Sequence, residues 1–446
     1  MMLHPLAQLR TAAGLSHPAY ARLVAETHAA LGLGRMAARR EKVSRWESGR
    51  TEPEHSAQLA MAHIHHVPAA EVCRLGWPHW LYLATGDAGL AGEPYTDDGA
   101  AHALDSSLHL PHAPRPPVLL LEGWALSKQI RSALARLAET ADSAVPDEAG
   151  LPAERLEWME ARVKALEEQE FGTFVPVHAL YAAALSEHRQ AVALITATPH
   201  SRPVPRRLYR LAAHTGMLCA WLSSAAGEET RAERHVLAAL RAAAASGSRS
   251  HTSAALTRLA LRHLLAGSPA DALTLVRAAR AADPRPWPGT EVQFHGYRAF
   301  ALAHLGEPAA ARQALDDTAR AVSNVAATPF EMAARHHAMV TTEALTSLYL
   351  GHLTTARRQF GPLTEHLTTP QAGPPSPYTA QWLRYAVETH LALGDIDIAA
   401  HSTRRALDLA GTLPEALALQ FHQLLEAHQH EPLIQQALDH LRDHHG

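Results

Sequence analysis

The chain has 446 residues, a net charge of −4 from 40 Lys/Arg against 44 Asp/Glu, and 47% apolar but only 5% aromatic residues. That length allows more than one structural unit, and a core built from Leu, Ala and Val favours helix. Two classes are excluded: no stretch of 18 apolar residues offers a membrane span, and none of the lysines (Lys42, Lys128, Lys164) follows a Gly-rich run, so there is no Walker-type phosphate loop.

The charge is uneven. Residues 1–80 hold nine Lys/Arg and six Asp/Glu, a net of +3, and the other 366 residues carry −7. A basic module on an acidic body predicts a polyanion partner for the module alone. Cys73 and Cys219 lie far apart in apolar helical settings, which predicts two small buried hydrophobes in a reducing, cytoplasmic protein with no secretory leader. The heavy Ala, Arg and Pro load fits a GC-rich genome.

In chain order, Leu3, Leu6, Leu9 and Ala13 fall near one helical face that Gly14 stops. Ser16 N-caps a second helix with Pro18 in its first turn, running through Tyr20, Ala21 and Val24 to about Leu31. After the connection LGLGR comes a third helix over about 39–48, ended by Gly49, and Glu52-Pro53 opens a fourth carrying Leu59, Ala60 and Ile64. Trp77 and Trp80 close the module by packing against it. Residues 86–117 are rich in Gly, Pro and Asp and read as an extended linker. Helices follow at about 122–141 and 153–170.

The text LRTAAGLS…VSRWESGRTEP, in this order, closely resembles the helix-turn-helix domains of the XRE/Cro–repressor family. The resemblance implies five short helices with the third in the major groove, and a buried ion pair between Arg10 and Glu47. It implies that Val43 and Trp46 face the core, that Arg40, Glu41, Ser44 and Arg45 face bases, and that His17, Lys42 and Arg50 lie near phosphates. Arg guanidinia suit guanine edges, whereas phosphate contacts fix register without reading sequence. Two departures stand out. Ser16 to Glu47 spans 31 residues, about a dozen more than the compact family version, with the excess between helices two and three. Arg39 also occupies the position where the family places a small N-cap.

Beyond residue 200 the chain repeats. Gly227, Gly267, Gly306, Gly351 and Gly394 are spaced by 40, 39, 45 and 43 residues. Each has an Ala five residues later (Ala232, Ala272, Ala311, Ala356, Ala399), and Ala220, Ala260, Ala299, Ala344 or Val387 seven residues before. Such a pattern predicts helical hairpins: a left-handed glycine ends the first helix and small residues let the two helices approach. The offsets resemble the tetratricopeptide (TPR) repeat, with a longer period. By that pattern, positions 13, 10 and 6 before the glycine line an inner binding face. They include His214, Met217, Trp221, Gln293, Phe300, Thr341, Gln381, Arg384 and Glu388.

No H-E-x-x-H, C-x-x-C, G-x-S-x-G or dinucleotide fingerprint occurs. The 32 histidines, including the HIHH run at 63–66, lack a completing carboxylate or thiolate set. No cofactor, metal site or enzyme activity is predicted. The fold class is all-α, with three parts: residues 1–85 as a helix-turn-helix domain, 86–152 as linker and connecting helix, and 153–446 as a TPR-like α-solenoid. The resemblance, to regulators of actinobacterial type, implies a homodimer that binds double-stranded DNA and takes a peptide, small-molecule or protein effector on the solenoid. The alternative is a protein-interaction scaffold whose helix-turn-helix remnant no longer binds DNA.

Overall fold

The computed structural model describes residues 4–65, 67, 69, 72–73, 76–84, 93–109, 121–141, 152–170, 177–197, 204–226, 228–323, 341–366, 378–410, 413 and 415–443. Among these residues every regular element is helical and no strand occurs. No helix among them is long and apolar enough to cross a membrane.

Helices α1 (Pro5–Ala12), α2 (His17–Ala30), α3 (Arg40–Glu47), α4 (His55–Ile64) and α5 (Leu81–Ala84) close around one core. Leu6, Tyr20, Val24, Val43, Met61, Trp80 and Leu81 are fully buried in it, and Trp77 packs at its edge. A buried polar chain tightens this core: Trp80 Nε1 donates to Gln58 Oε1 at 3.1 Å, and Gln58 Nε2 donates to the Pro53 carbonyl at 2.9 Å. Satisfying an indole N–H and a primary amide inside an apolar cluster removes the cost of burying them. The core is distinct from the larger one that follows, and the Glu122 N–H donates to His79 Nε2 across 3.2 Å between the two regions. One expectation fails here. Cys219 is buried but Cys73 is exposed, 3.8 Å from His55 Nε2, because it lies on the outer side of its helical turn.

The stretch read as an extended linker contains α6 (Asp97–Ser107). Thr96 Oγ1 accepts from the Gly99 N–H at 3.1 Å, and Ala100, Ala103 and Leu104 bury completely. Its inner face is formed by three alanines and one leucine, too small a set for a hydrophobic stripe to show above a Gly- and Asp-rich background. Arginines from the body hold the segment instead: Arg234 donates to the Ser106 carbonyl at 2.8 Å and Arg241 to the Glu93 carbonyl at 3.1 Å.

After α7 (Gly123–Ala141), α8 (Ala153–Glu170) and α9 (Val177–Thr196), helices join in pairs. The pairs are α10 (Arg206–Ala225) with α11 (Glu229–Ala245), α12 (Arg249–Leu265) with α13 (Pro269–Ala282), and α14 (Pro288–His304) with α15 (Pro308–Ser323). Then come α16 (341–349) with α17 (Leu353–His366), α18 (Tyr378–Leu393) with α19 (Ile396–Ala410), and finally α20 (Glu415–Glu426) and α21 (Pro432–Asp443). Gly267, Gly306, Gly351 and Gly394 all have φ between 75° and 83°. Each ends its helix with the same pair of backbone bonds: at Gly306, its own N–H reaches the Ala303 carbonyl at 3.0 Å and the Glu307 N–H reaches Leu302 at 2.9 Å. Left-handed glycine thereby satisfies carbonyls that a helix end leaves unpaired. Gly227 lies outside the described residues. The alanines five residues after these glycines, and the small residues seven before, are all at most 1% exposed. Helices within α10/α11, α12/α13, α14/α15 and α18/α19 pack on each other, and the first helices α8, α10, α12 and α14 touch in succession. The result is a row of stacked hairpins with its first helices forming one layer.

Candidate nucleic-acid interface

Helix α3 is built from the sequence REKVSRWE. Val43 and Trp46, three residues apart, turn to the core and leave Arg40, Glu41, Ser44 and Arg45 exposed, with Arg39 exposed ahead of them and Lys42 half-buried at the margin. Eight residues extend for about 12 Å, enough to cross a few base pairs. Gly49 (φ 67°) ends the helix in the same double-bonded cap, its N–H on the Trp46 carbonyl at 3.1 Å and that of Arg50 on Arg45 at 3.0 Å. This turn presents Arg50 to solvent. At the other end Arg39 has extended backbone and its side chain caps nothing, so the guanidinium stays available.

The helix is locked from beneath by Glu47. Arg10 clamps its carboxylate with two bonds, Nε to Oε1 at 2.6 Å and Nη2 to Oε2 at 3.1 Å, and spends Nη1 on the Leu15 carbonyl at 2.7 Å. His17 Nε2 lies 2.8 Å from Oε2. Arg10 and Glu47 are 13% and 10% exposed, so the pair implied by the family resemblance is present and largely desolvated. His17 sits at the start of α2, where Ser16 Oγ accepts from the Ala19 N–H, and its ring is 40% exposed. It therefore couples the first turn of α2 to the end of α3. At the surface, Arg40 Nε and Glu41 Oε1 approach to 3.1 Å. The Glu41 carboxyl is held below its usual range by its own backbone N–H and then by Arg40.

The additional residues between α2 and α3 divide in two. Part lengthens α2 to 14 residues, and residues 31–39 form the connection. That connection is tethered: His28 Nδ1 bonds the Gly34 carbonyl at 3.1 Å and Met36 packs on the core. Gly32 and Gly34 (φ 71° and 102°) make the turns that return the chain to α3.

The residues assigned to an inner face of the repeats differ in exposure. His214, Met217, Trp221 and Gln293 are partly exposed, and Arg384 and Glu388 form a half-buried pair at 3.5 Å. Phe300 and Thr341 are 2% exposed each and belong to the core, the Phe300 ring lying tilted against Tyr349 at 5.3 Å between centroids. Both are therefore withheld from the surface, a distinction that a fixed offset from the glycine does not make. The Gln381 side chain lies outside the described residues. Helices α10 and α12 contain no acidic residue, a feature the offsets do not use.

Among the described residues no group of three His, Cys, Asp or Glu side chains is placed to hold a metal ion. No protein-family model matches the chain, and no curated protein matches it.

Proposed function

We propose that this chain is a sequence-specific DNA-binding transcriptional regulator of the XRE helix-turn-helix type. The observation that carries the reading is one helix, α3, that buries Val43 and Trp46 while exposing Arg39, Arg40, Glu41, Ser44 and Arg45 together. An ion pair from α1 fixes that helix at its end. In this reading α3 enters the major groove, Arg40 and Arg45 take guanine edges, and Glu41 accepts from a cytosine amino group. Lys42, Arg50 and His17 hold phosphates on either side. A homodimer then places two such helices on half-sites about one helical turn apart.

The hairpin row serves as a TPR-like solenoid that receives an effector and supplies the dimer contacts. An effector that binds one arrangement of the row better than another biases the spacing of the two readers. No catalytic role is assigned to either part. The nine-residue connection 31–39 favours a second reading, in which α3 is re-aimed and the chain is a protein-interaction scaffold.

The test is fluorescence-anisotropy binding to genome-selected fragments across a salt series, comparing wild type with Arg40→Ala/Arg45→Ala. A reader retains its fragment against competitor DNA, loses about 0.9 log units of affinity per log unit of salt for each phosphate contacted, and fails in the double variant. Equal, weak and salt-labile binding by both proteins selects the scaffold.

A further inference from the structure

The connection 31–39 is the part of the basic module that the compact helix-turn-helix pattern lacks. Between Glu26 and Glu41 the chain has three arginines and no acid. Arg39 and Arg40 belong to the start of α3, whereas Arg35 stands apart from them in the middle of the connection. Arg35 is exposed, and among the described residues it has no hydrogen-bond or ion-pair partner. On a loose loop such an arginine is ordinary.

Here the loop is not loose. His28, 5% exposed, turns its ring under the connection and donates from Nδ1 to the Gly34 carbonyl at 3.1 Å. The Leu33 N–H reaches the His28 carbonyl at 3.1 Å, and Met36 packs on the core of the module. The backbone is therefore fastened on both sides of Arg35, by the carbonyl before it and the side chain after it. Withdrawing an imidazole from water costs free energy that this hydrogen bond offsets. Further on, the Arg39 N–H closes a turn on the Ala37 carbonyl at 3.0 Å, and extended backbone at Arg39 leads into α3.

Shape identifies the partner. Gly34, Ala37 and Ala38 beside Arg35 are all exposed, and none carries more than a methyl group. A single long cation thus stands on a narrow ridge of backbone. It is four residues from Arg39, at most about 14 Å along extended chain, and so borders the groove that α3 enters. The minor groove beside it is only about 6 Å wide, and its negative potential draws arginine most where A·T pairs narrow it.

We propose that Arg35 enters the minor groove next to the major-groove site of α3 and makes the reader prefer A·T-rich flanks. The inference rests on the reading of α3 as the recognition helix, and it adds base pairs that α3 does not reach. A phosphate contact is the competing role, and it differs in being blind to sequence.

The experiment takes fragments that the full chain retains from genomic DNA and replaces the pairs just outside each half-site by A·T, G·C or inosine·cytosine. Inosine keeps the major-groove face of guanine and lacks its minor-groove amino group. Wild type, Arg35→Gln and Arg40→Ala/Arg45→Ala are compared by fluorescence anisotropy across a salt series, with melting temperatures alongside. Wild type is expected to bind A·T and inosine·cytosine flanks about five- to tenfold more tightly than G·C flanks. Arg35→Gln should melt with wild type, still retain the fragment, and lose that preference. Flank-independent binding by wild type overturns the proposal, as does a preference that survives in Arg35→Gln or that treats inosine as guanine. An equal loss on all three flanks, with a shallower salt dependence, assigns Arg35 to a phosphate and also overturns it. In each of these cases the reader assignment stands if Arg40→Ala/Arg45→Ala releases the fragment. If the full chain retains no fragment, both readings fall.

Discussion

Glu47 ties the end of α3 to α1 and α2, and its removal tests the interface directly. Replacing it by Gln keeps the shape and deletes the charge that receives two bonds from Arg10 and one contact from His17. Breaking a fully buried ion pair by removing one partner costs about 3–5 kcal/mol, and an exposed one about 0–1. With the two side chains 13% and 10% exposed, and with Arg10 retaining the Leu15 carbonyl, the cost should fall at about 2–3 kcal/mol. For a unit of about 80 residues that lowers the melting temperature by roughly 10–20 °C. The unit has its own core, so its transition should separate from that of the hairpin row. The assay is hydrogen exchange of α2 and α3 amides alongside denaturant unfolding, for Glu47→Gln, Arg10→Gln and the pair. A coupling energy of about 1.5 kcal/mol or more is expected from the cycle. Additive single effects, or a Glu47→Gln cost below about 0.5 kcal/mol, would refute the claim that this pair positions the helix.

Three further outcomes follow from the helices of the body. At Gly306 an added Cβ meets nothing within 4 Å, but φ is +75°, so Gly306→Ala should cost about 1–2 kcal/mol from backbone strain alone. Gly289, in the first turn of α14, has equally open space and an ordinary φ, so Gly289→Ala should instead stabilise by up to about 1 kcal/mol. Denaturant midpoints distinguish the two signs. Acid should also weaken the row. Burial lowers His188 from 6.5 to about 4, and desolvation, reinforced by neighbouring cations, lowers His251 to about 3 and His263 to about 4. These rings are stable in the fold as neutral groups. Their contribution is complete above pH 6.5 and is lost as the unfolded chain takes up protons below it, by about 1.4 kcal/mol per pH unit for each histidine down to the folded value. Unfolding curves at pH 7 and pH 5 measure this loss, and His188→Gln should reduce the slope.

The caps were legible because they are local. Ser16, Gly49 and the repeated glycines announce helix ends through backbone geometry that depends on a few neighbouring residues, and Ser16, Gly49, Gly267, Gly306, Gly351 and Gly394 do so in the structure. The division of α3 into a core side with Val43 and Trp46 and an outer side with Arg40 and Arg45 was implied by the family resemblance, and burial divides the helix the same way. Helix α6 was not legible, because what orders it is distant: Arg234 and Arg241 from α11 take its carbonyls and those of the chain before it. Phe300 shows the same limit, being core by virtue of Tyr349 from a later hairpin.

Sequence by itself determined that the chain is helical and where many of its helices stop, because propensity and capping act over one or two turns. Tertiary structure alone decided how the arginines of the hairpin row are partnered. Arg207 is neutralised by Glu160, 47 residues away, and Arg258 comes to rest on Trp221 from the preceding hairpin. Partnership between charges is set by distances across helices, and the stacking angle of successive hairpins, which fixes those distances, is written in the packing of the whole row.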